Sequence, residues 1–157
     1  MAALVDTNVL FYRYDARFPE KQRAAFHLLR LGCELGTLCL PHQAIVEFVA
    51  ATTRPIPAQN GRPLLTAAEA RREAEDLLHQ FVVLYPNEGV VRSALRGAAT
   101  YQLSWFDAHL WAYADFYGLP ELISEDFQHG RIYGTVRVVN PFLTAEEVHQ
   151  TPASYGP

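Results

Sequence analysis

The chain has 157 residues, half of them hydrophobic, 19% charged, with a formal net charge of −4. That length and apolar content suit one compact domain with its own core, and speak against a disordered chain or a disulfide-stapled mini-protein. The acidic balance argues against a simple basic nucleic-acid binder, but not against a site that holds divalent cations, which must itself be acidic.

Ala2 to Val5 is a short apolar run closing on Asp6, the pattern of a buried first strand. A short helix, about Asn8 to Tyr14, follows. Pro19 opens a longer helix, about Glu20 to Leu35, with Ala24, Leu28, Leu31 and Leu35 on its apolar positions and Gly36 at its end. Thr37 to Leu40 is a second strand closed by Pro41, and a helix from His42 to Thr53 is stopped ahead of Pro55. Residues 54–65 carry three prolines and a glycine and form a loop. Thr66-Ala-Ala-Glu69 is a capping box opening a helix to Gln80. Phe81 to Tyr85 is a third strand, Glu88 to Tyr101 a helix, and Ser104 to Tyr117 another, ended by Gly118 and Pro120. Leu122-Ile123 is a short strand running into Ser124-Glu125-Asp126, and Val136 to Val139 is the last strand. Beyond Pro141 one helical turn and a loose tail are expected.

Short apolar strands alternating with helices of ten or more residues imply βαβ units, and so one three-layer α/β/α domain with a mainly parallel central sheet. The expected domain spans residues 1–145, with a tail at 146–157. The N-terminus lacks a basic segment followed by a long apolar one, and no apolar run reaches membrane-spanning length, so the expectation is a cytoplasmic protein with no membrane partner. Cys33 and Cys39 lack zinc-ligand spacing and are read as a buried helix-end cysteine and a strand cysteine.

Four carboxylates stand out. Asp6 ends the first strand, ahead of Thr7 and Asn8, at the sheet rim where sites lie; it would also serve as a helix N-cap. Glu47 shares a helix face with Gln43, Ala44, Ala50 and Ala51, small neighbours that leave room to face a cleft, although a solvated glutamate reads the same way. Asp107 heads the stripe Asp107, Leu110, Trp111, Ala114, where a charge is costly unless paired or metal-bound; with Ser104 it also fits a capping box. Asp126 follows the strand Leu122-Ile123 and would equally suit a turn. Three of the four are expected at or just beyond strand ends. Four carboxylates converging without a cation would repel one another, so joint use implies Mg²⁺ or Mn²⁺, held by oxygen ligands and able to activate water against a phosphodiester.

Val5-Asp6-Thr7-Asn8-Val9-Leu10 resembles the opening motif of PIN-domain nucleases. Ser104-Trp105-Phe106-Asp107-Ala108 resembles their third acidic motif, and Ser124-Glu125-Asp126-Phe127-Gln128-His129-Gly130 is similar to the fourth as it occurs in VapC-type toxins. Glu47, in Ile-Val-Glu-Phe, falls where the second acid belongs. The resemblance runs from Val5 to about Pro141. It implies a magnesium-dependent endoribonuclease, the toxin of a type II toxin–antitoxin pair. Such toxins are often homodimers, silenced by an antitoxin peptide in the active-site groove. Asp6, Glu47, Asp107 and Asp126 would be the catalytic acids, with Asp6, Asp107 and Asp126 on the metal and Thr7, Asn8, Ser104 and Ser124 in support. Transfer RNA is the substrate suggested by resemblance alone. His109 departs from the small or apolar residue expected at its position; it would either tune the site or face solvent, and solvent is the favoured reading.

Rival readings fare worse. A haloacid-dehalogenase-like phosphatase needs an aspartate where Asn8 stands and a downstream lysine; the only lysine, Lys21, lies in an early helix. No phosphate-binding Gly-Lys-Ser/Thr loop or dinucleotide fingerprint exists. A non-catalytic RNA-binding module on the same fold should have lost an acid, and a DNA-directed nuclease is disfavoured only by a chain too short for a large helical arch. Twelve of the thirteen basic residues are arginine. Arg13, Arg17, Arg54 and Arg62 are the expected phosphate contacts. Tyr12, Tyr14, Phe18, Trp105 and Tyr113 are read as core more readily than as base-stacking platforms.

Overall fold

The computed structural model describes residues 2–150, the side chains of His149 and Gln150 excepted. In chain order the elements are β1 (Ala3–Val5), α1 (Thr7–Tyr12), α2 (Pro19–Leu35), β2 (Leu38–Pro41), α3 (His42–Thr52), α4 (Ala67–Gln80), β3 (Val82–Leu84), α5 (Glu88–Tyr101), α6 (Trp105–Tyr117), β4 (Glu121–Ile123), β5 (Ile132–Tyr133), β6 (Val136–Val139) and α7 (Ala145–Gln150). The sheet order is β3-β2-β1-β4-β6-β5. Every neighbouring pair is parallel except β5 with β6.

Strand alternation builds the three layers. Ala3 and Val5 face one core with Leu38 and Leu40, covered by α1 to α4; Leu4 faces the other with Leu122, Val136 and Val138, covered by α5 and α6. The α5–α6 pair packs closely because Gly97 has no side chain: a Cβ there would lie 2.3 Å from the Trp111 ring. Among the described residues no helix is long and apolar enough to cross a membrane.

Most expected boundaries fall within two residues of those observed. The Thr66–Glu69 capping box forms with both reciprocal bonds. The loop at 54–65 contains a short 3₁₀ turn at Pro57–Gln59. The β5–β6 hairpin was not expected. It turns through Gly134 at φ 64, a conformation that favours glycine. The segment after Pro141 forms α7, and the rest of the expected tail, residues 151–157, lies outside the described residues.

β1 is where the chain's winding reverses: β2 lies on one side of it and β4 on the other. In parallel sheets such a switch point opens a crevice beyond the carboxyl ends of the strands. Asp6 follows β1 directly and Ser124 follows β4 directly, so both enter that crevice.

Candidate active site

Asp6 is buried under three donors. Its Oδ1 accepts from the Thr7 backbone N–H at 2.6 Å, capping α1, and its Oδ2 accepts from Ser124 Oγ at 2.6 Å and Asn8 Nδ2 at 3.1 Å. Capping and convergence on the rim are thus compatible roles. Burial drives the Asp6 pKa up to about 7; the Ser124 and Thr7 hydrogen bonds oppose that rise, and the charges of Asp126 and Glu47 add to it. Asn8 Nδ2 also donates to Asp126 Oδ2 at 3.1 Å, and Ser124 Oγ accepts from the Asp126 backbone N–H at 3.0 Å. Asp126 is exposed at the mouth, yet its pKa too is raised, chiefly by desolvation. The Asn8 bond opposes that shift, and the charges of Glu125, Asp107 and Glu47 reinforce it.

Glu47 enters from the second turn of α3, which begins directly at the end of β2. Its Oε2 accepts from Thr7 Oγ1 at 2.8 Å and its Oε1 from Gln43 Nε2 at 2.8 Å. Asp107 lies in the first turn of α6 and is half-buried. Its backbone N–H donates to the capping Ser104 Oγ at 3.2 Å, but its carboxylate makes no hydrogen bond among the described residues, so the expected reciprocal box is only half present. The expectation of three acids at strand ends also needs correcting. Asp6 directly follows β1 and Asp126 lies in the turn after β4, three residues past Ile123, whereas Glu47 and Asp107 are carried by helices, and α6 follows α5 rather than a strand.

All four acids are within electrostatic reach of the rim, but among the described residues no three His, Cys, Asp or Glu side chains form a ready-made metal cage. The side chains nonetheless fit a hard divalent cation. The donors are all oxygens, as such ions require. The gap between Asp6 and Asp126 is filled by the positive NH₂ edge of Asn8, where a cation's charge would be favourable. Asn8 Oδ1, on the other side of the same amide, is buried without a partner.

The sequence model of the PIN domain matches residues 3–134. The chain belongs to the PIN domain family. That family comprises nucleases, hydrolases that generally use divalent metal ions. The fold is shared with solved chains of two assemblies. One is a toxin–antitoxin complex from Klebsiella pneumoniae, at 19% identity and TM-score 0.60, covering 90% of this chain and 98% of that one. The other is a DNA-bound VapBC from Salmonella typhimurium, at 12% identity and TM-score 0.63, covering 88% and 97%. A search of curated proteins finds no match.

Within this PIN domain the proposed RNA contacts are dispersed. Arg17 is held bidentately by the buried Asp15, with both bonds at 2.8 Å, which lowers the Asp15 pKa. Arg13 lies over Tyr14 and Phe26, in a cavity of about 350 Å³ bounded by α2 and by Gln80 and Phe81, which precede β3; the carboxylates lie beyond the opposite ends of the strands. Arg54 and Arg62 are exposed in the loop after α3. Tyr113 is core, Tyr12 and Tyr14 are half-buried, and Trp105 and Phe18 are exposed. Cys39 is buried in β2 and Cys33 half-buried in the last turns of α2.

Two groups escaped the sequence reading and a third was placed differently by it. Lys21 Nζ donates to Glu125 Oε2 at 2.7 Å and lies over the Tyr12 ring, while Tyr12 OH donates to Glu125 Oε1 at 2.7 Å. This pins the turn that carries Asp126 to α1 and α2. Gln43 holds Glu47, and the only advance sign was its place one turn before that acid. His109 does not face solvent as expected. It is half-buried, its Nδ1 lies 2.6 Å from Gln43 Oε1, and burial lowers its pKa against the pull of Glu47.

Proposed function

We propose that this PIN domain is an endoribonuclease that hydrolyses RNA phosphodiester bonds with Mg²⁺ or Mn²⁺, acting in the cytoplasm as the toxin of a toxin–antitoxin pair. What supports the reading is that Asp6, just past β1, Asp126, in the turn after β4, and Glu47 and Asp107, on α3 and α6, border one rim at the switch point of the sheet, close enough for the charges of Glu47 and Asp126 to act on Asp6 and that of Asp107 on Asp126. Asp6, Asp107 and Asp126 would hold the cation, with Glu47 completing or supporting its shell. A bound divalent ion supplies charge neutralisation at the phosphate and a more acidic water.

The chain's own residues prepare the ground for it. Ser124 and Asn8 hold Asp6 and Asp126 toward one another against their mutual repulsion, Thr7 links Asp6 to Glu47, and Ser104 fixes the turn that carries Asp107. Arg54 and Arg62 are the more available phosphate contacts, since Arg17 must release Asp15 and Arg13 lies in a different groove. Transfer RNA is the class of substrate that the resemblance suggests. The cognate antitoxin would insert an arginine among the carboxylates, a guanidinium replacing the cation. The solved toxin–antitoxin assemblies that share the fold support such a partner. Val46, Tyr85, Trp105 and Phe106 leave an exposed apolar rim beside the site, suited to burial in a homodimer.

The test is incubation of the purified protein with structured RNAs, with and without chelator. Cleavage is expected only with Mg²⁺ or Mn²⁺. Cleavage that survives chelation would sink the reading, and so would a fully active Asp6→Asn variant.

A further inference from the structure

We infer that His109 is a positioning residue for Glu47, acting through the side-chain amide of Gln43. The inference rests on the carboxylate reading proposed above and adds to it a residue that none of the four acidic motifs contains.

The hydrogen bonds fix its chemistry. Gln43 Nε2 faces two acceptors, Glu47 Oε1 at 2.8 Å and the Phe106 carbonyl at 3.3 Å. An amide whose NH₂ is so placed must turn its oxygen the other way, toward His109 Nδ1 at 2.6 Å. That oxygen only accepts, so His109 Nδ1 carries the proton and donates it. The second oxygen of Glu47 is held from the opposite direction by Thr7 Oγ1, and Thr7 in turn donates its backbone N–H to Asp6. One chain of donors therefore runs from α6 through α3 to the end of β1, with Glu47 gripped at both oxygens.

His109 is itself held. Its ring meets Tyr113 edge-on at 5.2 Å between centroids and Trp105 at 6.0 Å. Tyr113 is fully buried, so it gives the imidazole a fixed wall. Glutamine and glutamate both lose considerable rotamer freedom when ordered. A donor mounted on a rigid ring restrains Gln43, and through it Glu47, before any cation arrives. Outer groups of this kind orient the ligands they touch, and their removal commonly costs 10–100-fold in metal affinity.

The experiment is calorimetric titration of Mn²⁺ into the full chain and into His109→Phe, His109→Asn, Gln43→Ala and the Gln43→Ala/His109→Phe double variant, with melting curves and RNA cleavage in parallel. Phenylalanine keeps the ring but removes the donor; asparagine restores a donor close to the position of Nδ1. His109→Phe is expected to weaken Mn²⁺ binding about tenfold with little change in melting temperature. His109→Asn should recover most of that loss, and the double variant should bind no more weakly than Gln43→Ala alone, since both changes cut one chain. Wild-type affinity in His109→Phe would overturn the inference, as would additive losses in the double variant or failure of asparagine to rescue. Loss of cleavage at unchanged Mn²⁺ affinity would overturn it too, pointing to contact with RNA instead. Absence of Mn²⁺ binding by the wild type would overturn the carboxylate reading and this inference together.

Discussion

Asp6 and Asp107 reach the same rim under opposite conditions. Asp6 comes from the end of a central strand, is only 5% exposed, and is held by Thr7, Asn8 and Ser124. Asp107 comes from the first turn of a covering helix, is half-buried, and has no hydrogen bond to its carboxylate among the described residues. Asp6 is thus tied into the fold by its own hydrogen bonds, whereas Asp107 contributes charge and little else to the metal-free fold. Burial with donors and burial without them have different consequences for stability.

The largest expected effect comes from replacing each in turn. Asp6→Ala and Asp107→Asn should both reduce RNA cleavage by orders of magnitude. Their effects on the metal-free fold should differ in sign. Asp6→Ala removes the cap of α1 and leaves the Thr7 and Ser124 donors unmatched, lowering stability by about 1–3 kcal/mol. Asp107→Asn removes a repelling charge and no hydrogen bond, and should raise the melting temperature slightly. Melting curves in chelator measure both. A fall in melting temperature for Asp107→Asn would return that residue to a structural role.

The pH dependence of the metal-free protein sharpens the same contrast. Asp6 has a folded pKa of about 7 against an ordinary value of 3.8, raised mainly by burial. A group whose folded pKa is raised binds its proton more tightly in the folded state. Its contribution to stability is therefore complete below about pH 4, declines as pH rises through the interval up to about 7, and is gone above it. Each unit of difference is worth about 1.4 kcal/mol, so the whole decline is on the order of 4 kcal/mol. Asp6→Asn should flatten this slope and Asp107→Asn should leave most of it. Denaturant titrations between pH 4.5 and 8 would show it. A slope unaltered in Asp6→Asn would contradict the assignment.

What the sequence revealed follows from range. The cap at Thr66 and Glu69 was readable because all its partners lie within one turn. Asp6 and Asp126 were readable because a short apolar run ending in an acid is a local pattern, and the parallel sheet does the rest. Ser104 and Asp107 look like a capping box in sequence, but only the serine half forms, and the aspartate carboxylate does not reach back to the Ser104 backbone N–H. The β5 strand was hidden by its length of two residues and the exposure of Ile132, although Gly134 marked its turn. His109 with Gln43, and Lys21 with Glu125, pair residues 66 and 104 positions apart, and no local periodicity connects such partners. Lys21 was read only as the lysine that a phosphatase would need elsewhere; its position over Tyr12 gives it a structural use.

The central claim, that the four acids form one cation-binding hydrolytic centre, is tested most directly by Mn²⁺ affinity in the wild type and in Asp6→Asn, Glu47→Gln, Asp107→Asn and Asp126→Asn, each checked for folding by its melting curve. The account predicts saturable binding by the wild type, a stabilisation of about 2.7 kcal/mol at a hundredfold excess over the dissociation constant, and a clear loss of affinity in all four variants. Wild-type affinity in the folded Asp6→Asn or Asp107→Asn protein, or no binding by the wild type at all, would contradict it.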